Sequence, residues 1–152
     1  MLGRAPVEPL PDGRYRIRIE AEERGVVGRL CAELRALIEA DDRAVPRLFP
    51  PAHRDDPAVA AEFDEVARET LVAGRLAALR TVQETLGAEL VDQEQLTAWC
   101  GALNDLRLVL GERLGVTEDM DESLFRTSAD HALYGWLTWL QAATVEALAS
   151  RL

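Results

Sequence analysis

The most reactive side chains in this sequence are two thiols, Cys31 and Cys100. Two thiols form a reversible disulfide when their Cα atoms lie within roughly 7 Å of each other. A single thiol becomes a nucleophile when a nearby cation or a helix N-terminus lowers its pKa. Neither cysteine belongs to a Cys-x-x-Cys pair, and both fall well inside helical patterns, on the borders of apolar stripes, where free cysteine serves as a small hydrophobe. The residues leave inert packing, a redox pair and single-cysteine reactivity open.

Other catalytic and metal-binding patterns are missing. His53 and His131 stand apart from each other and from any Glu-x-x-His or His-Glu-x-x-His spacing, so no metal or general-base site is expected from them. The acidic run Glu118, Asp119, Asp121 and Glu122 lacks the glycine and the terminal bidentate glutamate of a calcium loop and reads as a solvated connector. No nucleophile elbow surrounds a serine. All seventeen basic residues are arginine, so lysine Schiff-base and P-loop chemistry are excluded. No cofactor is implied, and no enzyme is expected.

The arginines carry the remaining candidates. Arg107 sits among Leu103, Leu110 and Leu114 on a stripe that also holds Leu96, Trp99 and Leu106, with Cys100 at its edge. A buried guanidinium calls for a carboxylate partner, and Glu84 and Asp130 are the two candidates for this ion pair. Asn104 and Asp105 beside it are expected to orient helix ends or connectors. Arg14, Arg16 and Arg18 share one face of an alternating segment whose other face is Tyr15, Ile17 and Ile19. That basic face suits phosphate or an acidic partner, or it guards an exposed strand edge. Trp136 and Trp139 lie off the centre of their stripe, as binding anchors at the surface or as covers over Arg107.

These side chains must be positioned by helices. Residues 1–13, with Pro6, Pro9, Pro11 and Gly13, read as an irregular lead-in. The strand Arg14–Ile19 finds its best local partner in Glu89-Leu90-Val91, giving a two-stranded ribbon; a second copy of the chain, in a homodimer, would satisfy the same backbone groups. A first helix is predicted over Glu20–Ala40, with Val26, Val27, Leu30, Leu34, Leu37 and Ile38 inward. A second follows from the Asp56 cap and Pro57 to about Leu86, burying Phe63, Val66, Thr70, Ala73, Gly74, Ala77, Ala78 and Thr81 as the central helix. The third opens at an Asp92/Gln95 capping box and ends near Gly115; the fourth opens at Ser128 and runs almost to Leu152. Leu48 and Phe49 pin the proline-broken crossover between the first two. The expectation is one all-α domain spanning the 152 residues, a bundle of about four long helices with a small N-terminal β-ribbon.

Composition agrees. Apolar residues make up 48% and aromatic residues only 5%, which suits close-packed helices. The net charge of −10 argues against a duplex-wide phosphate footprint and favours a basic protein partner. No charged-then-apolar leader opens the chain and no apolar run reaches the roughly 18 residues of a membrane span, so a cytoplasmic protein with no membrane partner is expected.

The run Trp99–Val116, with Tyr134-Gly-Trp-Leu-Thr-Trp-Leu-Gln141, Leu48-Phe-Pro-Pro-Ala52 and Arg54-Asp-Asp56, resembles an actinobacterial domain-of-unknown-function family, some of whose members are labelled oxidative stress transcriptional regulators. The resemblance covers the chain from Gly13 onward. It implies a protein often encoded near the adaptor of the Clp protease and near cysteine-biosynthesis genes, acting in redox-dependent transcription through a sigma factor. The redox device it implies is a close cysteine pair. Here Cys31 and Cys100 lie far apart in sequence, so a switch requires their two helices to be neighbours. The function expected from residues and resemblance together is a non-enzymatic regulator that binds a sigma factor or another RNA-polymerase component. The alternative is an adaptor or accessory protein of Clp-type proteolysis.

Overall fold

The computed structural model describes residues 4–41, 45–49, 57–115 and 129–152. The expected Asp56 and Ser128 caps, His53 and the acidic connector lie outside them, as does the side chain of Phe63. The described elements are β1 (Val7–Pro9), β2 (Tyr15–Ile17), α1 (Ala21–Ala40), α2 (Pro57–Glu84), β3 (Leu90–Val91), α3 (Gln93–Leu114) and α4 (Ala129–Ala149). This is a helical bundle carrying a small antiparallel sheet.

The sheet order is β1-β2-β3. β2 pairs with the expected local partner, Tyr15 opposite Val91 and Arg16 opposite Leu90, and Val7, Glu8 and Pro9 pair with Ile17, Arg16 and Tyr15. The lead-in therefore differs from its reading as irregular: it supplies an edge strand. Proline is compatible there because Pro9 ends β1 at the sheet's edge, where no further strand needs its missing N–H. Gly13, at φ 94°, makes the turn into β2 in a conformation that favours glycine. Tyr15 and Ile17 are buried beneath the sheet, continuous with the helical core.

α3 is the central helix, in contact with α1, α2 and α4. It opens on the expected capping box: the Gln95 amide donates to Asp92 Oδ1 at 2.7 Å and the Asp92 amide to Gln95 Oε1 at 2.9 Å. It buries Leu96, Trp99, Ala102, Leu103, Asp105, Leu106 and Val109, too broad an arc for one neighbour. The buried Trp99 indole donates to Thr85 Oγ1 at 2.8 Å, tying α3 to the end of α2. At Gly111 a Cβ would come within 2.9 Å of the Tyr134 ring, so the missing side chain sets the approach of α4.

α2 corrects the sequence reading in two respects. It is not the central helix, and its small-residue stripe faces out: Val66, Thr70, Ala73, Gly74 and Ala77 are exposed, whereas Leu79, Val82 and Thr85 are buried. Leucine and valine remove more apolar surface from water than alanine and glycine, and that difference chooses the buried face.

Candidate functional site

α1 and α2 pack together, and a groove of about 520 Å³ runs along their shared surface. Its apolar floor is Ile38 from α1 with Val72 and Leu76 from α2, and its rim is Glu39, Glu65 and Glu69. All three glutamates are exposed. Glu39 pairs with Arg35 at 3.0 Å, one turn back on α1. Arg68 lines the same groove, but its guanidinium donates to the Phe49 carbonyl at 3.4 Å, anchoring the crossover. Three glutamates against the single Arg68 leave the groove's lining net acidic, with Glu65 and Glu69 on the α2 side. Val66, 66% exposed, lies on the helix face of Glu69 and Ala73 and extends the apolar surface past the rim. The groove is apolar along its base and acidic along its edge.

Among the described residues, the buried charged side chain is Asp105. Asp105, 2% exposed, accepts from Arg75 of α2 in an ion pair. The guanidinium carbon of Arg75 stands 5.7 Å from the Phe49 ring centroid. Burial pushes the Asp105 carboxyl above its ordinary 3.8, and the Arg75 hydrogen bond and charge only partly oppose that. Asp105 is therefore a core residue, not an orienter of helix ends.

Arg107 departs from expectation. It is half-buried, and its partners among the described residues are amides: Nε donates to Gln141 Oε1 at 2.9 Å and Nη2 to Asn104 Oδ1 at 3.0 Å. Neither Glu84 nor Asp130 forms the ion pair. The arginine sits at the edge of the α3 stripe, where two neutral acceptors and solvent satisfy it without a desolvated counter-charge.

Residues 4–148 match the domain of unknown function DUF2017. The chain belongs to the DUF2017 family. No curated protein and no solved structure is significantly similar to it.

Within this DUF2017 fold, the remaining candidate residues fall at separate places. Cys31 is fully buried on α1, and burial pushes its thiol up to about 12; Cys100 is half-buried on α3. Both are free, and their helices touch. Arg14 pairs with Asp12 at 2.7 Å, and Arg18 reaches across the ladder to Glu8 at 2.6 Å. Trp136 is half-buried; Trp139 is 52% exposed beside Pro6 and beside Val7 and Pro9 of the edge strand β1. Neither tryptophan is among the side chains on which the Arg107 guanidinium is bonded. Among the described residues no group of three or more His, Cys, Asp or Glu is arranged to hold a metal ion, and no helix is long and apolar enough to cross a membrane.

Two structural arginines escaped the sequence reading. Arg24 donates to the carbonyls of Ile19, Leu86, Ala88 and Ile17 at 2.7–3.2 Å, binding α1, the α2 end and β2 into one unit. Arg151 stacks 4.3 Å above the Tyr15 ring and donates to the Leu10 and Arg14 carbonyls, clamping the chain's end to the sheet. Four of these six acceptors are backbone carbonyls of segments distant in sequence, for which sequence has no signature.

Proposed function

We propose that this DUF2017 protein is a non-enzymatic cytoplasmic regulator that acts by docking a basic amphipathic helix of another protein into the α1/α2 groove. The groove carries the reading. Ile38, Val72 and Leu76 offer a floor for apolar side chains at i, i+3, i+4 and i+7 of a bound helix, and Glu65 and Glu69 face the positions that its cations would occupy. The net charge of −10 steers a cationic partner toward the molecule and away from phosphate-rich duplexes. A sigma factor or another RNA-polymerase component fits that charge and the resemblance to oxidative stress regulators.

The test is fluorescence anisotropy with a synthetic amphipathic helix of leucine and lysine. Binding should weaken about tenfold in Glu65→Lys/Glu69→Lys and in Val72→Asp, while Glu94→Lys, a charge reversal at an exposed site in the first turn of α3, should leave it nearly unchanged. Equal losses in the rim and control variants would mean general attraction to an acidic surface and would overturn the reading.

A further inference from the structure

A second cleft lies across the molecule's small sheet, of opposite charge to the groove. It measures about 410 Å³ and is lined by Arg4, Arg16, Arg18 and Arg24, by Ala21 at the start of α1, and by Glu89. The four arginines are not equivalent. Arg24 spends its guanidinium on four backbone carbonyls. Arg18 is paired with Glu8, through Nη1 at 2.7 Å and Nη2 at 2.6 Å. Arg16, at the centre of β2 between Glu8 and Leu90, has no ion-pair or hydrogen-bond partner among the described residues, although its Nε is shielded from solvent. Arg4 is exposed at the same cleft.

A shielded guanidinium N–H without an acceptor loses the hydrogen bonds it made to water. Such a group is stabilised when an anion supplies the acceptor. Arginine presents N–H groups in a rigid planar fork that matches the spacing of phosphate oxygens. The local carboxylates do not fill that role: Glu8 is engaged by Arg18 through Oε2, and Glu89 is exposed and unpaired with Arg16. Positive charge therefore exceeds negative charge around the cleft, on a protein that is acidic as a whole. Of the three arginines that alternate through and beside β2, only Arg16 and Arg18 reach this cleft; Arg14 is bound to Asp12 outside it.

We propose that this cleft is a binding site for the phosphate group of a small phosphorylated ligand, with Arg16 as the main contact and Arg4 and Arg18 closing around the oxygens. The site is independent of the α1/α2 groove. It is too small and too locally charged to be the footprint of a nucleic-acid duplex, which needs cations spread along a surface.

Isothermal titration of the full chain with inorganic phosphate, and separately with glycerol 3-phosphate, tests this at low chloride. One saturable site is expected for both, weakened about tenfold by Arg16→Gln and less by Arg4→Gln, with Arg14→Gln as wild type. Circular dichroism of each variant verifies folding, and Arg4→Gln, at an exposed position outside the ladder, provides a second reading should Arg16→Gln perturb the sheet. Absence of saturable binding, equal weakening by Arg14→Gln and Arg16→Gln, or binding of duplex DNA without binding of either small phosphate would each overturn the proposal.

Discussion

Asp105 and Arg107, two residues apart on α3, face different helices: Asp105 turns toward α2 and pairs with Arg75, while Arg107 turns toward α4 and rests on Gln141. A step of two residues rotates a helix by about 200°. The desolvated ion pair of this bundle thus sits opposite the arginine that its sequence marks out.

That division predicts unequal mutants. Arg75→Met strands a buried carboxylate and should cost about 3–5 kcal/mol at neutral pH in denaturant unfolding. Since burial holds the Asp105 carboxyl above its ordinary 3.8, this group's contribution to stability is whole below that value and is lost as pH rises through its folded value. The defect of Arg75→Met should therefore shrink as pH falls toward 4, and Arg75→Met/Asp105→Leu should recover most of the loss at neutral pH.

Arg107→Leu removes hydrogen bonds to neutral amides only. Its cost should stay near 1–2 kcal/mol and show little change between neutral and mildly acid pH, read by the same unfolding experiment.

For Arg24 the loss is distributed over several segments. Arg24→Ala removes donors to four carbonyls and should lower stability by about 2–4 kcal/mol, with hydrogen exchange speeding first at β2 and the α2–β3 turn. Arg24→Lys should recover only part, because an ammonium cannot span the same acceptors as a planar fork.

Cys31 should resist thiol reagents at pH 8 in the folded protein, with Cys100 modified first. Its thiol ionises near 9.0 when exposed and near 12 when buried, so its contribution to stability is whole below about 9 and lost progressively up to about 12. Cys31→Ala should remove that part of the alkaline loss. Mass spectrometry after peroxide treatment tests the redox reading: a Cys31–Cys100 disulfide formed in the folded state would support it, and oxidation confined to Cys100 would contradict it.

Much of this architecture is legible in local patterns. The alternation of Tyr15 and Ile17, the Asp92/Gln95 box and the glycine stop at Gly115 each act within a few residues, and each is realised. β1 was hidden because Pro6 and Pro9 carry a turn signal that an edge strand tolerates. The buried face of α2 is not legible in spacing, which favours its small residues, because burial follows Leu79 and Val82. The groove and the Arg75–Asp105 pair depend on which helices become neighbours, a property of the assembled bundle that no single helix's periodicity contains.

Photo-crosslinking in host cells from a reactive amino acid placed at exposed Val66, which neighbours Glu69 and Ala73 of the α1/α2 groove on the face of α2, with the attached peptide sequenced by mass spectrometry, tests directly whether a basic helix docks there. A basic amphipathic segment of a sigma factor or RNA-polymerase component, lost when Glu65 and Glu69 are reversed to lysine, is the predicted result. A crosslinked peptide that is acidic or belongs to the Clp machinery, or no crosslink from this position, would contradict it.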